Sequence, residues 1–381
     1  MSYKIANLTT FYGSYLYQFY QINPDFKKQT FVEQQNALFA DLFGWSDFLA
    51  KNLINLGYEA IQIVGNAEFI QKQWAIEYEQ RYVENNWIYD IVKAQIKQFN
   101  PDILFIEDPF AFAKDFIQEI KAENPNIRLV MMYICVDFND WTTFKASDVV
   151  ITCTDWIYKK LKNENVNAFL IKHGFEKSIL QKINQNHNKN YDLSFVGNLF
   201  SSHKQRYELI KNLMEEVNIS IWTPSLNNNI YSLLKLGIKS MVTGNIIKYI
   251  DQEINISLRY RYQGQAFGKK MYEIISQSKI TLNNHIDDAK NEAANMRLFE
   301  ATGVGTCLLT DWKENLHELF EPDREVVTYK SVEECIEKVK WLLDHPQERE
   351  AIAKAGQART LKDHTFAQRA IQLDEIIKRQ L

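Results

Sequence analysis

Two glutamates eight residues apart, Glu292 and Glu300, bracket a short stretch rich in hydrogen-bonding side chains. Asn295 suits a helix N-cap, the residues from Met296 onward have helical spacing, and Gly303 and Gly305 stop the helix before Thr306–Thr310, which reads as a strand. Glu300 then lies in the second turn of a short helix. Its carboxylate oxygens there can accept hydrogen bonds from two neighbouring sugar hydroxyls. Arg297, one turn earlier, offers a planar fork of donors to a phosphate. Spacing alone carries nothing: random placement of the 28 glutamates gives about two such pairs, and there are three, Glu208–Glu216, Glu292–Glu300 and Glu325–Glu333. Only the middle pair has a loop, helix, glycine and strand around it. The bland alternative is a glutamate favoured near a helix start, beside a solvated arginine.

Two other loops contain glycine just after a strand-like run. Gly197-Asn198 follows Leu193–Val196, and Tyr12-Gly13-Ser14 follows Lys4–Leu8. Open parallel sheets bind ligands at the carboxyl ends of their strands, where helix N-termini present free N–H groups. None of these loops matches GxGxxG or a P-loop, so dinucleotide binding and ATP hydrolysis lose their usual support. A glycine in such a place is ordinarily a turn device. Arg206 and Lys270 are candidate diphosphate contacts, with helix-surface charges as the alternative. Trp222 and Tyr262 could stack on a base, although an aromatic at a strand end is ordinarily core. A side-chain base, should the reaction need one, would be Asp108, Asp137 or His173. No metal-chelating DxD is present, since Asp287-Asp288 lack it, so neither a metal nor a cofactor is expected.

The elements that must position these residues alternate along the chain. β-branched runs at Lys4–Leu8, Ala60–Val64, Ile103–Ile106, Arg128–Ile134 and Val149–Thr152 are separated by helical stretches at Phe31–Leu56, Phe69–Phe99 and Phe110–Ala122. Continuous apolar strands between helices predict a parallel sheet covered on both faces. Polar, Asn-rich Lys182–Asn190 reads as a linker. The alternation then restarts with strands at Leu193–Val196, Asn218–Trp222, Lys279–Leu282, Thr306–Thr310 and Val326–Tyr329. The fold class is therefore α/β, two Rossmann-like domains facing a cleft. The boundaries are 1–176, a linker at 177–190, 191–362, and an amphipathic C-terminal helix at 363–381 that packs back on the first domain.

Composition narrows the classes. Thirteen glycines and seven prolines in 381 residues exclude collagen-like and turn-dense folds, and a formal charge of -4 argues against a nucleic-acid partner. Leu129–Val136, the most apolar stretch, is too short to span a bilayer, and the N-terminus shows no signal-type run. Cys135, Cys153, Cys307 and Cys335 have no paired spacing. They read as buried reduced thiols, with neither a zinc site nor a disulfide framework. A cytoplasmic protein is expected, with peripheral membrane association left open.

Glu300-Ala-Thr-Gly-Val-Gly-Thr306 resembles the Glu-Ala-x-x-x-Gly-Thr stretch of retaining GT-B glycosyltransferases. The wider set is similar to the CgeB-like (spore maturation protein-like) group. It comprises Ser194–Asn198 with Arg206, Ser278–Asn283, Asn295–Glu300, Glu325–Tyr329, and His364-Thr365 with Arg369. Coverage runs from about residue 191 to 375; the first half agrees more loosely, through Gly57–Ala60, Gln73–Ala75, Pro101–Leu104 and His173–Phe175. The resemblance implies a GT-B enzyme moving a sugar from a nucleotide-diphosphate sugar, a UDP-sugar rather than a GDP-sugar, to a glycan, lipid or protein acceptor. Glu300 would hold the donor ribose and Glu292 would face the donor sugar. Gly197 and Asn198 would lie under the diphosphate, with Arg206, Lys270, Asn295 and Arg297 nearby. Asn198 stands where that family often has arginine. The Glu pair favours retention. An epimerase on the same architecture and an inactive nucleotide-sugar-binding module are the alternatives.

Overall fold

A computed structural model of the chain describes residues 2–184, 188–199, 204–224, 258, 260–286 and 290–381. The chain divides into two units, Met1–Lys177 with Asp363–Leu381, and Ser178–Lys362. Asp287 and Asp288 lie outside the described residues, as does part of the Asn-rich linker.

The first unit is built on six parallel strands: β1 (Lys4–Thr9), β2 (Glu59–Val64), β3 (Ile103–Ile106), β4 (Leu129–Ile134), β5 (Val149–Thr152) and β6 (Ala168–Leu170), in the order β2-β1-β3-β4-β5-β6. The central strands are apolar throughout because helices cover both faces; Ile103, Leu104, Ile106, Val130, Met131 and Met132 have no exposed surface. The stretch expected as one helix from Phe31 to Leu56 is two, Phe31–Ala40 and Phe48–Asn55, parted by a turn in which Leu42, Gly44 and Ser46 take positive φ. Phe69–Phe99 likewise separates into Glu68–Glu77 and Trp87–Phe99, broken where Glu79 takes φ 52°. A helical apolar period continues across such a break without registering it.

The C-terminal helix, Phe366–Gln380, starts at a capping box between Thr365 and Gln368 and packs on the Phe48–Asn55 helix of the same unit. The Phe366 and Phe48 rings meet with centroids 5.3 Å apart, and the Tyr58 hydroxyl donates to Asp374 at 2.8 Å. Phe175 and Thr365 form a parallel bridge. Gly174 makes that approach feasible, because a Cβ there would lie 3.0 Å from the Thr365 carbonyl carbon.

The second unit repeats the plan with β7 (Tyr191–Val196), β8 (Ile219–Trp222), β9 (Tyr262–Gly264), β10 (Ser278–Asn283), β11 (Cys307–Asp311) and β12 (Val327–Tyr329). Their order is β12-β11-β10-β7-β8-β9, all parallel. Each unit is thus an open parallel sheet of Rossmann type, as the alternation of elements predicts. No helix among the described residues is long and apolar enough to cross a membrane.

Candidate functional site

The carboxyl ends of β7, β10 and β11 in the second unit gather most of the residues singled out in the sequence. The Arg297–Gly303 helix follows this edge. Its N-cap is Met296, in helical conformation, and not Asn295; the helix therefore begins a residue later than the Asn suggests, and Glu300 sits in its first turn, not its second. The Asn295 amide is used otherwise, donating to Asn283 Oδ1 at 2.7 Å, while Asn283 Nδ2 donates to Thr310 Oγ1 at 2.9 Å. This amide pair fixes the loop entering the helix to the end of β10.

Glu300 is buried, 6% exposed, although its helix is short. Arg297 pairs with it at 2.7 Å and also donates to the Val196 carbonyl at 3.1 Å; the Tyr272 hydroxyl lies 3.5 Å from the other carboxylate oxygen. One guanidinium therefore connects the carboxylate to the end of β7, next to Gly197. Gly197 donates its N–H to the Trp222 carbonyl at 3.0 Å, and a Cβ there would sit 3.1 Å from the Phe195 ring. Arg206 is also buried. It donates to the Asn198 carbonyl at 2.9 Å and to the Asn284 carbonyl at 2.6 Å, joining the loop after β7 to the loop after β10. Lys270 is exposed in the first turn of the Gly268–Ser276 helix.

Glu292 is half-buried in the segment before the Arg297–Gly303 helix. The neighbouring backbone is held by Asn315, which accepts from Ala293 N at 2.7 Å and donates to its carbonyl at 3.1 Å. Trp222 is core, 3% exposed and packed edge-on against Tyr191. It is not presented to a base.

His285 and Asp311 had no place in the sequence reading. His285 Nδ1 lies 2.7 Å from Asp311 Oδ1, which also accepts from the His285 backbone N–H at 3.0 Å. Burial pushes the Asp311 carboxyl up, but His285 and Lys313 outweigh it and hold its pKa down at about 2. The signal was available: Asn284-His285 directly follows a strand, the position at which parallel sheets bind ligands.

In the first unit, Tyr12, Gly13 and Ser14 are exposed at the start of the Gly13–Ile22 helix, just past β1. A Cβ at Gly13 would meet nothing within 4 Å, so the backbone does not require glycine there. Asp108 accepts from the Thr10 hydroxyl and from the N–H groups of Phe110 and Ala111, and Asp137 pairs with Lys160 at 2.6 Å. His173 is packed among Trp45 and Tyr133, its Nε2 3.2 Å from the Tyr133 hydroxyl. Burial, with Arg369 and Lys172 nearby, lowers its pKa to about 3. The structure also joins Cys135 to Cys153, where the sequence suggested unrelated thiols. They are 18 residues apart but each follows the paired ends of β4 and β5, Ile134 and Thr152. Strand adjacency, not sequence spacing, brings them together.

Comparison with known proteins shows what the chain resembles. Residues 213–375 match the family model described as glycosyl transferase-like. A glycosyltransferase from Rickettsia africae aligns over 100% of this chain and 98% of its own, at 11% identity and a TM-score of 0.59. Anabaena HepE, solved with UDP-glucose, aligns over 99% of both chains at 11% identity and a TM-score of 0.58. Sucrose-phosphate synthase from Thermosynechococcus elongatus gives 99% and 98% coverage at 10% identity and a TM-score of 0.57. These likenesses show that the chain has the GT-B fold. No curated protein sequence matches it.

Proposed function

We propose that the protein transfers a sugar from a UDP-sugar to a glycan, lipid or protein acceptor, with retention at the anomeric carbon, as the CgeB-like group would. The observation that carries the reading is the buried Glu300–Arg297 pair beside the loop after β7. Glu300 would accept from the ribose hydroxyls, and Arg297 would turn part of its fork to the diphosphate. Asn198 and the Gly197 backbone would lie under that diphosphate, and exposed Lys270 would add positive charge. Arg206, which holds two of the site's loops, would add positive charge beside the diphosphate. Complexes of HepE with UDP-glucose, and with UDP and glucose, make a UDP-sugar the first donor to try.

The chemistry asks little beyond positioning. The leaving diphosphate develops negative charge, which fixed N–H groups and arginine stabilise without reorganising. Glu292 is the proposed carboxylate facing the donor sugar. His173 is the proposed side-chain base should the reaction need one, with its Nε2 against the Tyr133 hydroxyl.

The test is donor binding by calorimetry and product release. Glu300→Ala, folded by circular dichroism, should bind UDP-sugar at least about tenfold more weakly, the loss of charged hydrogen bonds. UDP release should depend on an added acceptor. Unchanged affinity in Glu300→Ala defeats the site; interconversion of the donor without acceptor would mean an epimerase, and binding without turnover over a broad acceptor panel an inactive module.

A further inference from the structure

Three neighbouring strands of the first unit each deliver one soft or borderline ligand at their carboxyl ends. Cys135 follows β4, Cys153 follows β5, and His173 lies three residues beyond the end of β6. The registers Ile134↔Thr152 and Thr152↔Leu170 bring these positions to one edge of the sheet. One ligand atom from each residue lies within 4.8 Å of the others. Cys153 is 1% exposed, and the Trp45 and Tyr133 rings pack against the His173 imidazole.

His173 supplies the second observation. Its Nδ1 is buried and has no hydrogen-bond partner among the described residues, while Nε2 faces the Tyr133 hydroxyl at 3.2 Å. A buried imidazole nitrogen without a partner is unfavourable, and a bond to it would relieve that cost. If Nε2 keeps the proton and donates it to the Tyr133 oxygen, Nδ1 presents a lone pair. An outer hydrogen bond of this kind fixes the tautomer of metal-binding histidines. The His173 backbone is held as well, since Arg369 Nε donates to its carbonyl at 2.9 Å.

We propose that Cys135, Cys153 and His173 form a zinc site in the reduced protein, and that the disulfide is its oxidised, metal-free form. Reduction by two equivalents of a small thiol gives two cysteine thiols and one small-molecule disulfide. Binding of Zn²⁺ then releases both thiol protons to solvent, and two thiolates cancel the ion's charge. That neutrality matters beside Arg369 and Lys172, which would oppose a net cation. Two cysteines and one histidine are a known zinc donor set, and three protein ligands leave one tetrahedral position to water or a second molecule. The proposal does not rest on sugar transfer.

Cobalt titration of the full-length chain tests it. The reduced protein should bind one equivalent of Co²⁺ with a thiolate-to-cobalt charge-transfer band, and Zn²⁺ should displace it. The same chain oxidised should show no such band, a comparison that needs no substitution. Cys135→Ser and Cys153→Ser should each remove the band, and His173→Gln should weaken binding by at least roughly tenfold. Absence of the band in the reduced native chain overturns the proposal. So does one-equivalent binding of unchanged affinity in a folded double variant, Cys135→Ser with Cys153→Ser.

Discussion

Glu300 and Glu107 are both buried carboxylates near the carboxyl ends of parallel strands, and their surroundings set them apart. Glu300 has an arginine at 2.7 Å. Glu107, just past β3, has no cation paired with it among the described residues, and burial raises its pKa from 4.5 to about 8, partly offset by Thr9 and Gln62. The sign follows from which form the folded state prefers. A folded value above the unfolded one means that folding favours the protonated acid. That contribution is complete below about pH 4.5 and is lost as pH rises through about 8. Glu107→Gln keeps a neutral group at every pH. It should therefore gain stability relative to the native chain between about pH 5 and about pH 9 in urea melts. A difference that stays constant across that range would show that Glu107 does not titrate there. Glu300, by contrast, serves the proposed donor site through its charge, which is why its loss is read in ligand affinity.

At the scale of elements, one close approach governs the second unit. Gly356, in the Pro346–Asp363 helix, lies where a Cβ would come 2.3 Å from the Glu325 carbonyl oxygen and 3.3 Å from Thr302 Cγ2. The Thr302 and Thr360 hydroxyls share a hydrogen bond at 2.6 Å across the same contact. Because the obstacle is backbone, it cannot rotate away. Gly356→Ala should destabilise the unit by about 1–3 kcal/mol, the usual cost of overpacking. Gly13→Ala, with open space around it, should leave the thermal midpoint unmoved. Equal midpoints for the two variants would refute the packing argument. The sequence conveyed the strands well because an apolar run between helices has few other uses. It conveyed β6 and β9 poorly, each only three residues, whereas the equally short β12 was legible from its β-branched run Val326-Val327-Thr328. The site was legible where chemistry and local pattern coincide, at Arg297 and Glu300. It was not legible where tertiary neighbours decide. Arg206 bonds to carbonyls 8 and 78 residues away. His285 and Asp311 meet only through the adjacency of β10 and β11.

For the whole molecule, the chain's path matters most, because the first unit is not continuous in sequence. It is completed by Asp363–Leu381 after the entire second unit has been made. The returning helix buries Phe366, Leu373, Ile376 and Ile377, none more than 7% exposed. At about 1.5–3 kcal/mol for each large apolar side chain, these four contribute on the order of 6–12 kcal/mol before ordering costs. That is comparable with the whole stability of a typical domain, about 5–15 kcal/mol. A chain ending at Lys362 should consequently lose protection in the first unit, most strongly over the Phe48–Asn55 helix that the last helix covers. Amides of β7, β10 and β11 should keep theirs, since the second unit's core of Leu193, Ile280, Leu282 and Leu309 draws nothing from the last helix. Hydrogen exchange followed by mass spectrometry separates these outcomes. Equal loss in both units would mean that they fold as one cooperative body, whereas no loss in the first would mean that its sheet and helices are stable without their final element.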